Sequence, residues 1–489
     1  MKRIVSALGK LKSGRSACAV FLTCVATAIA LPAQTLTTLF SFDDTDGYWA
    51  IWNLVQATNG DLYGTTANGG ANLSGTVFKI TLGGTQTTLY SFCSQSGCSD
   101  GQTPEGPLIQ TADGNLYGVT AGGGANGYGT VFKITPSGTL TTLASLGNDG
   151  SGGPIGIVRA TDGSFYGTEY GLLGPGAVFR VTPSGRLTTL YVFCLGGGPG
   201  SPCPDGAGPE SPLIQATDGN FYGTTEFGGA NGYGTVYKIT PRGKLTTLYS
   251  FCSESGCSDG EYPWAAVVQA TDGNLYGTTS GGGANGAGTV FRITPGGTLT
   301  TLYSFCSQSG CMDGSDPMFA AMVQATDGNL YGTTGGGGAN GDGTVFRITT
   351  GGTLTTLYSF CSQSACADGE IPWGGLVQDT SGEFYGTTRG GGADATCFDG
   401  CGTVFSLSVG LGPFVETRPT SGAVGKLVEI LGTDLTGATS VTFNGTAAAF
   451  KVVSSSLITT KVPPGATTGK VEVVTPGGTL SSNVPFRVP

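Results

Sequence analysis

AAVVQATDGNLYGTTSGGGANGAGTVFRITPGGTLTTLYSF, residues 265–305, holds four short apolar runs separated by turn residues. AAVVQAT reads as a first strand, and Asp272-Gly273 tolerate the positive φ of a two-residue hairpin turn. NLYGTTS reads as a second strand. The loop GGGANGAG leads to TVFRIT, where Phe291 and Ile293 share one face and Val290 and Arg292 the other. Pro295-Gly296-Gly297 then turn into a fourth strand, TLTTLYSF. Four antiparallel strands joined by such turns make one blade of a β-propeller.

The second strand carries the anchor by which such units are counted. Tyr63, Tyr117, Tyr166, Tyr222, Tyr276, Tyr331 and Tyr385 each precede a glycine, at intervals of 49 to 56 residues. A period of that length belongs to propellers and solenoids. First, second and third strands occur seven times, but the seventh unit, residues 375–408, ends at GTVFSLS without a fourth. The missing strand, TLTTLFSF, stands alone at Thr35–Phe42. Its pairing with the last unit would latch a ring and remove two bare sheet edges. An open solenoid would have no need of a displaced strand. The expectation is an all-β chain: a seven-bladed β-propeller over residues 34–410, closed by the N-terminal strand, then an immunoglobulin-like β-sandwich over 411–489.

Residues 1–33 read as a signal peptide. Lys2, Arg3, Lys10, Lys12 and Arg15 precede an apolar run from Ala17 to Leu31, with small residues at Ala28, Ala30 and Ala33. A retained anchor is the rival, but the run falls short of the roughly 20 residues a spanning helix needs. The twelve later cysteines fall into close pairs: Cys93/Cys98, Cys194/Cys203, Cys252/Cys257, Cys306/Cys311, Cys361/Cys366 and Cys397/Cys401. With no histidine in the chain, this pattern reads as disulfides formed in an oxidising compartment, and against zinc. The expected location is secreted, periplasmic or cell-surface, with no membrane span after signal cleavage. Net charge is −10 and no basic cluster follows residue 15, which argues against a nucleic-acid partner. No feature sets an oligomeric state.

Residues 35–408, typified by GNLYGTTSGGGANGAGTVFRITPGGTLTTLYSF (Gly273–Phe305), resemble the GloVer tandem repeat of exported bacterial choice-of-anchor proteins. The resemblance implies a surface or secreted location without an established activity. The C-terminal segment resembles an IPT/TIG domain through SGAVGKLVEILGTDL (Ser421–Leu435), VTFNGT (Val441–Thr446) and ITTKVPPGATTGKVEVVTPGG (Ile458–Gly478). Such domains act as spacers or interaction modules, and the short linker VGLGPF (Val409–Phe414) would let the two parts dock.

In a propeller the loops from second to third strand, and from fourth strand to the next blade, share one face. Here these are the glycine loops and the cysteine loops, while the opposite face has only DG and PGG turns. Long loops on a rigid scaffold are where binding resides, so the long-loop face is the expected working face. Trp264 and Trp373 stand five residues before a first-strand glutamine, as does Phe319, and Trp49 and Trp52 lie on the same approach in the first blade. Aromatic rings beside polar groups suit sugar binding, because ring faces stack on sugar C–H surfaces. Inter-blade packing is the plain alternative. Glu105 and Glu210 occupy the equivalent position, but blades two apart would hold them too far from each other for glycoside hydrolysis, which needs roughly 5–9.5 Å. Arg159 replaces the strand glutamine in the third blade, whose glycine loop is also altered, and a symmetry-breaking ligand site belongs there.

Asp46, Asp100, Asp205, Asp259, Asp313 and Asp368 recur in the fourth-to-first loops. They are weak candidates for Ca²⁺, which takes oxygen ligands, against the simpler reading as turn residues. No other cofactor is expected. The absence of histidine removes Ser-His-Asp and Cys-His catalysis. The leading expectation is an exported, non-catalytic binding or scaffold protein with a glycan or protein ligand on the long-loop face. The alternatives are a carbohydrate-active enzyme using acidic residues near the channel, and a structural component of the cell surface or matrix.

Overall fold

The repeat unit folds as its turn chemistry dictates. The computed structural model describes residues 34–489 except 148–151, 172–174, 196–202, 320, 395 and 398, so the expected signal peptide lies outside the described residues. The described residues form nine four-stranded sheets, seven from the repeats and two from the C-terminal segment. In the fifth blade the order is Val268–Gln269, Leu275–Thr279, Thr289–Ile293 and Leu299–Ser304, all antiparallel. The innermost strand is shorter than AAVVQAT suggested. It is an edge strand with a partner on one side only, and short edges are how sheets limit unpaired backbone.

The seventh blade is completed by the other end of the repeat array. Thr35–Ser41 pairs antiparallel with Thr403–Ser408, from Thr35 opposite Ser408 to Ser41 opposite Thr403. The displaced strand does what its counterparts do. Ser41 Oγ accepts from Ala393 N at 3.1 Å, as Ser304 Oγ accepts from Ala284 N at 3.1 Å in the fifth blade. The core lies between blades: Tyr276, Val290 and Phe305 pack on Leu330, Phe346 and Ile348 of the next sheet. The same packing joins last to first, with Phe42, Tyr385 and Val404 against Leu54, Phe78 and Ile80. The chain is a closed seven-bladed propeller.

Glutamines on the innermost strands lock six of the seven blades to the one before. Gln110, Gln215, Gln269, Gln324 and Gln378 each accept from a threonine N–H in the preceding blade, at 2.8–3.1 Å. Gln56 closes the circle by accepting from Thr380 N at 3.1 Å. The anchor tyrosines point the other way, toward the following blade, where Tyr166 stacks on Phe221 at 4.2 Å, while the buried Tyr276 hydroxyl donates to Asp272 of its own blade at 2.8 Å. The glycine after it is a packing requirement, since a Cβ on Gly277 would lie 2.5 Å from Cζ of Phe291.

The C-terminal domain is a sandwich of two sheets around Val428, Ile430, Val441, Phe443, Ile458, Val471, Val473 and Phe486. It docks on the propeller's short-turn face. Ser456 Oγ donates to Thr58 O at 2.8 Å, Arg418 Nη2 to Gln56 O at 2.9 Å, and Thr433 and Thr380 share a hydroxyl contact of 2.9 Å. Arg487 reaches Thr217 O in the fourth blade. Among the described residues no helix is long and apolar enough to cross a membrane.

Candidate functional site

The approaches to the first strands of the first, fifth, sixth and seventh blades meet on the long-loop side. Their aromatic residues converge there. Phe319 is central, with ring centroids 5.0 Å from Trp264, 5.4 Å from Trp373 and 6.0 Å from Trp52. Trp52 is buried at 6% exposure, while Trp49, Trp264, Phe319 and Trp373 are half-buried. The Arg389 guanidinium sits between Trp373 and Trp49, 4.6 and 4.8 Å from their ring centres, an arrangement favoured by cation–π attraction.

An acidic group lies beside the aromatic one. Glu105 and Glu210, which their separation by two blades had suggested would stay apart, come close enough to feel each other's charge. Burial, helped by Glu210, raises the Glu105 carboxyl to about 7. Glu210 faces the buried Glu226 and also Tyr170, and both favour its charged form against the effect of burial. Burial is the main reason that both carboxyls of this pair sit above the usual range, and their mutual charge adds to it at Glu226. Two adjacent carboxyls in a poorly solvated place resist ionising together. The Trp264 indole N–H faces Glu226 and favours its charged form, yet it falls outside hydrogen-bond geometry and remains a buried donor without a partner. Trp264 therefore joins the acidic side to the aromatic side.

Glu226, Tyr170 and Arg389 escaped the reading of the sequence. All three occupy the position just after the second strand, where the other repeats carry Ala67, Ala121, Ser280 and Gly335. A register-by-register comparison of the repeats contains that signal: three bulky or charged residues at a site otherwise reserved for small ones. Arg159 is separated from this group. It is exposed on the opposite, short-turn face, beside the C-terminal domain.

The loop aspartates have another job. Asp100, Asp259, Asp313 and Asp368 are buried, and each accepts a tyrosine hydroxyl at 2.8 Å and a serine N–H at 2.9 Å within its own cysteine loop. Burial opposes the charge of Asp313, but the donors from Ser307, Tyr303 and Gln308 outweigh it and hold the carboxyl below its ordinary value. Asp205 accepts likewise from Tyr191 at 2.8 Å and Cys194 N at 2.9 Å. Asp46 accepts from Asp43 N at 2.9 Å, and burial raises it to about 6. Among the described residues, the groups close enough to share an ion are Asp342, Cys361, Cys366 and Glu370, and Cys252, Cys257 and Glu261. None of the six aspartates belongs to either group, and the cysteines in both are tied up in disulfides.

All six cysteine pairs read from the sequence are bridged: Cys93 to Cys98, Cys194 to Cys203, Cys252 to Cys257, Cys306 to Cys311, Cys361 to Cys366, and Cys397 to Cys401. Bridging is not their whole role, and spacing alone did not reveal the rest. The carbonyl of the second cysteine also ties its loop to the glycine loop of the following blade. Cys98 O accepts from Gly101 N and Gly124 N, both at 2.9 Å, and Cys311 O from Gly314 N and Gly338 N, both at 2.9 Å. Cys203 O accepts from Gly206 N at 3.0 Å and Gly229 N at 2.7 Å. Cys401 differs from these. It does not belong to a fourth-to-first loop, but closes the second-to-third loop of the seventh blade and is fully buried.

The profile of the Gloeobacter/Verrucomicrobia repeat matches residues 26–203, 200–405 and 310–440, and that of the IPT/TIG domain matches residues 415–488. No curated protein matches the sequence. Among solved structures, a structural genomics protein of unknown function from Bacteroides thetaiotaomicron is similar at a TM-score of 0.41 and 16% identity, over 77% of this chain and 76% of that one. The PQQ-bound aldose sugar dehydrogenase of Streptomyces coelicolor is similar at 0.37 and 14%, over 78% and 99%. Likeness at that level says nothing about activity.

Proposed function

We propose that this chain, which belongs to the Gloeobacter/Verrucomicrobia repeat family and ends in an IPT/TIG domain, is an exported carbohydrate-binding protein that takes its ligand at the axial mouth of the long-loop face. The observation that carries this reading is the convergence of half-buried Trp264, Phe319 and Trp373 beside the carboxyls of Glu105, Glu210 and Glu226. Flat rings offer stacking surface for sugar C–H groups, and carboxyls offer paired acceptors for hydroxyls. Four of the seven blades contribute aromatic residues to one cluster, which supports a site shared between blades.

The test is retention on a panel of insoluble and arrayed polysaccharides. Trp264→Ala and Trp373→Ala should each weaken binding about tenfold or more, the loss expected of a central aromatic anchor. Thermal melting of each variant separates loss of a contact from loss of fold. Undiminished retention by both variants would remove the mouth from consideration.

A second reading rests on the carboxyls themselves. Glu105 holds its proton to about pH 7 next to Glu210, which is the condition for a general acid acting on a glycosidic oxygen. Release of new reducing ends from a bound polysaccharide, abolished by Glu105→Gln or Glu226→Gln with binding retained, would make the protein an enzyme.

A further inference from the structure

We propose that the cleft between the IPT/TIG domain and the short-turn face of the second to fourth blades is a separate binding site for an acidic, carboxylate-bearing oligosaccharide. The cleft has a volume of about 1190 Å³, above the ~300–1000 Å³ typical of a site for one small molecule. Arg159, Arg418, Lys426 and Arg487 line it, together with side chains such as Thr161 and Thr420 that suit hydroxyl groups. The protein as a whole is acidic, with 22 lysines and arginines against 32 aspartates and glutamates. Five of the 22 precede residue 34, and four of the rest face this one space.

Of the acids lining the cleft, Glu416 neutralises Arg418, and Asp218, whose hydrogen bonds with Asn220 and Tyr222 outweigh burial and hold its carboxyl below its ordinary value, offsets part of the charge of Arg159, Lys426 and Arg487. Asp162 is engaged by Arg180 at 2.9 Å, from outside the lining set, and Glu416 by Arg418 at 2.9 Å. Burial pushes the Glu429 carboxyl toward its neutral form. Among the described residues Arg159, Lys426 and Arg487 have no carboxylate within ion-pair distance. Arg418 spends Nε and Nη2 on Glu416 and the Gln56 carbonyl, and its Nη1 is left buried without an acceptor.

The sequence departs from its own repeat at this spot. Six blades place a glutamine where its carbonyl oxygen takes the N–H of the preceding blade's turn. In the third blade that residue is Arg159, and the corresponding N–H belongs to Ala112, also on the cleft wall. Arginine has no acceptor to offer. One inter-blade latch is given up, and a guanidinium facing the cleft is what stands in its place. A planar guanidinium matches a carboxylate through two parallel hydrogen bonds, so a carboxylate-bearing ligand suits the residue that this substitution introduces.

The experiment titrates the full secreted chain with oligogalacturonate and, separately, with its methyl ester, which keeps the sugar backbone and removes the charge. The acid should bind at least about tenfold more tightly than the ester, and more weakly as salt is raised. Arg159→Gln restores the repeat's own residue and its latch. It should lower affinity for the acid about tenfold or more with an unchanged or higher melting temperature, and Lys426→Gln should act in the same direction. Trp264→Ala and Trp373→Ala should leave acid binding intact, which keeps this site distinct from the axial mouth. Equal binding of acid and ester, no binding by either, indifference to Arg159→Gln, or loss of acid binding in the tryptophan variants would each overturn the proposal.

Discussion

Tyr237 stands where the other repeats have Phe78, Phe132, Phe179, Phe291, Phe346 and Phe405. Its ring is fully buried between blades, and its hydroxyl finds no partner. Burial alone lifts that hydroxyl far above its usual pKa. An unsatisfied buried donor costs about 1–3 kcal/mol, so Tyr237→Phe should stabilise the protein by roughly 1 kcal/mol, read as a higher denaturant midpoint at unchanged slope. A lower midpoint would mean that the hydroxyl has a partner after all. The repeat itself exposes this residue, because six phenylalanines define what the pocket wants. The same comparison could not have told that the strand glutamines act across blades. Gln110 and Thr58 lie 52 residues apart, and their hydrogen bond exists only once neighbouring blades stand side by side.

At the level of the element, one strand decides whether the array is a circle. Thr35–Ser41 supplies the outer edge of the seventh blade, and Phe42 enters the core shared by the seventh and first blades. Removing residues 34–42 should therefore do more than shorten a sheet: it bares the Thr403–Ser408 edge and opens that core, and exposed edges recruit other chains. The truncated protein should form oligomers on size exclusion, and a synthetic TLTTLFSF peptide should return it to monomeric elution. A truncated protein that stays monomeric and melts as before would deny the strand its closing role. This element was legible because a unit lacking one strand, and one strand lacking a unit, fit together by count. The two-residue innermost strands were not, since their length reflects backbone pairing near the axis and not the apolar run that encodes them.

For the molecule as a whole, the axial carboxyls set how stability follows pH. Glu105 has an ordinary value of 4.5 and is held near 7 in the folded chain, so between those limits the folded state binds more protons than the unfolded one. Stability should fall as pH rises through that interval, with Glu210 adding in the same sense and Glu226, raised to about 8, carrying the fall past 7. The loop carboxylates Asp100, Asp313 and Asp368 lie below their ordinary value, so their contribution is lost in the opposite direction, as pH drops under that value. The melting temperature should peak near pH 4.5 and decline toward 7, and Glu105→Gln should flatten the decline. A melting temperature that climbs steadily to neutrality would contradict the arrangement of charges at the mouth.

Blade number, strand order, disulfide partners and the closing strand were determined by the amino-acid sequence, because each depends on local turn chemistry, on spacing, or on a count. The meeting of Glu105 with Glu210 and Glu226, the stacking of Arg389 between Trp49 and Trp373, and the seating of the IPT/TIG domain over the short-turn face were decided by tertiary structure alone. They depend on curvature around an axis, which sets which residues of different blades meet. A linear repeat records its period, but the radius at which its copies close is a property of how the sheets twist and pack.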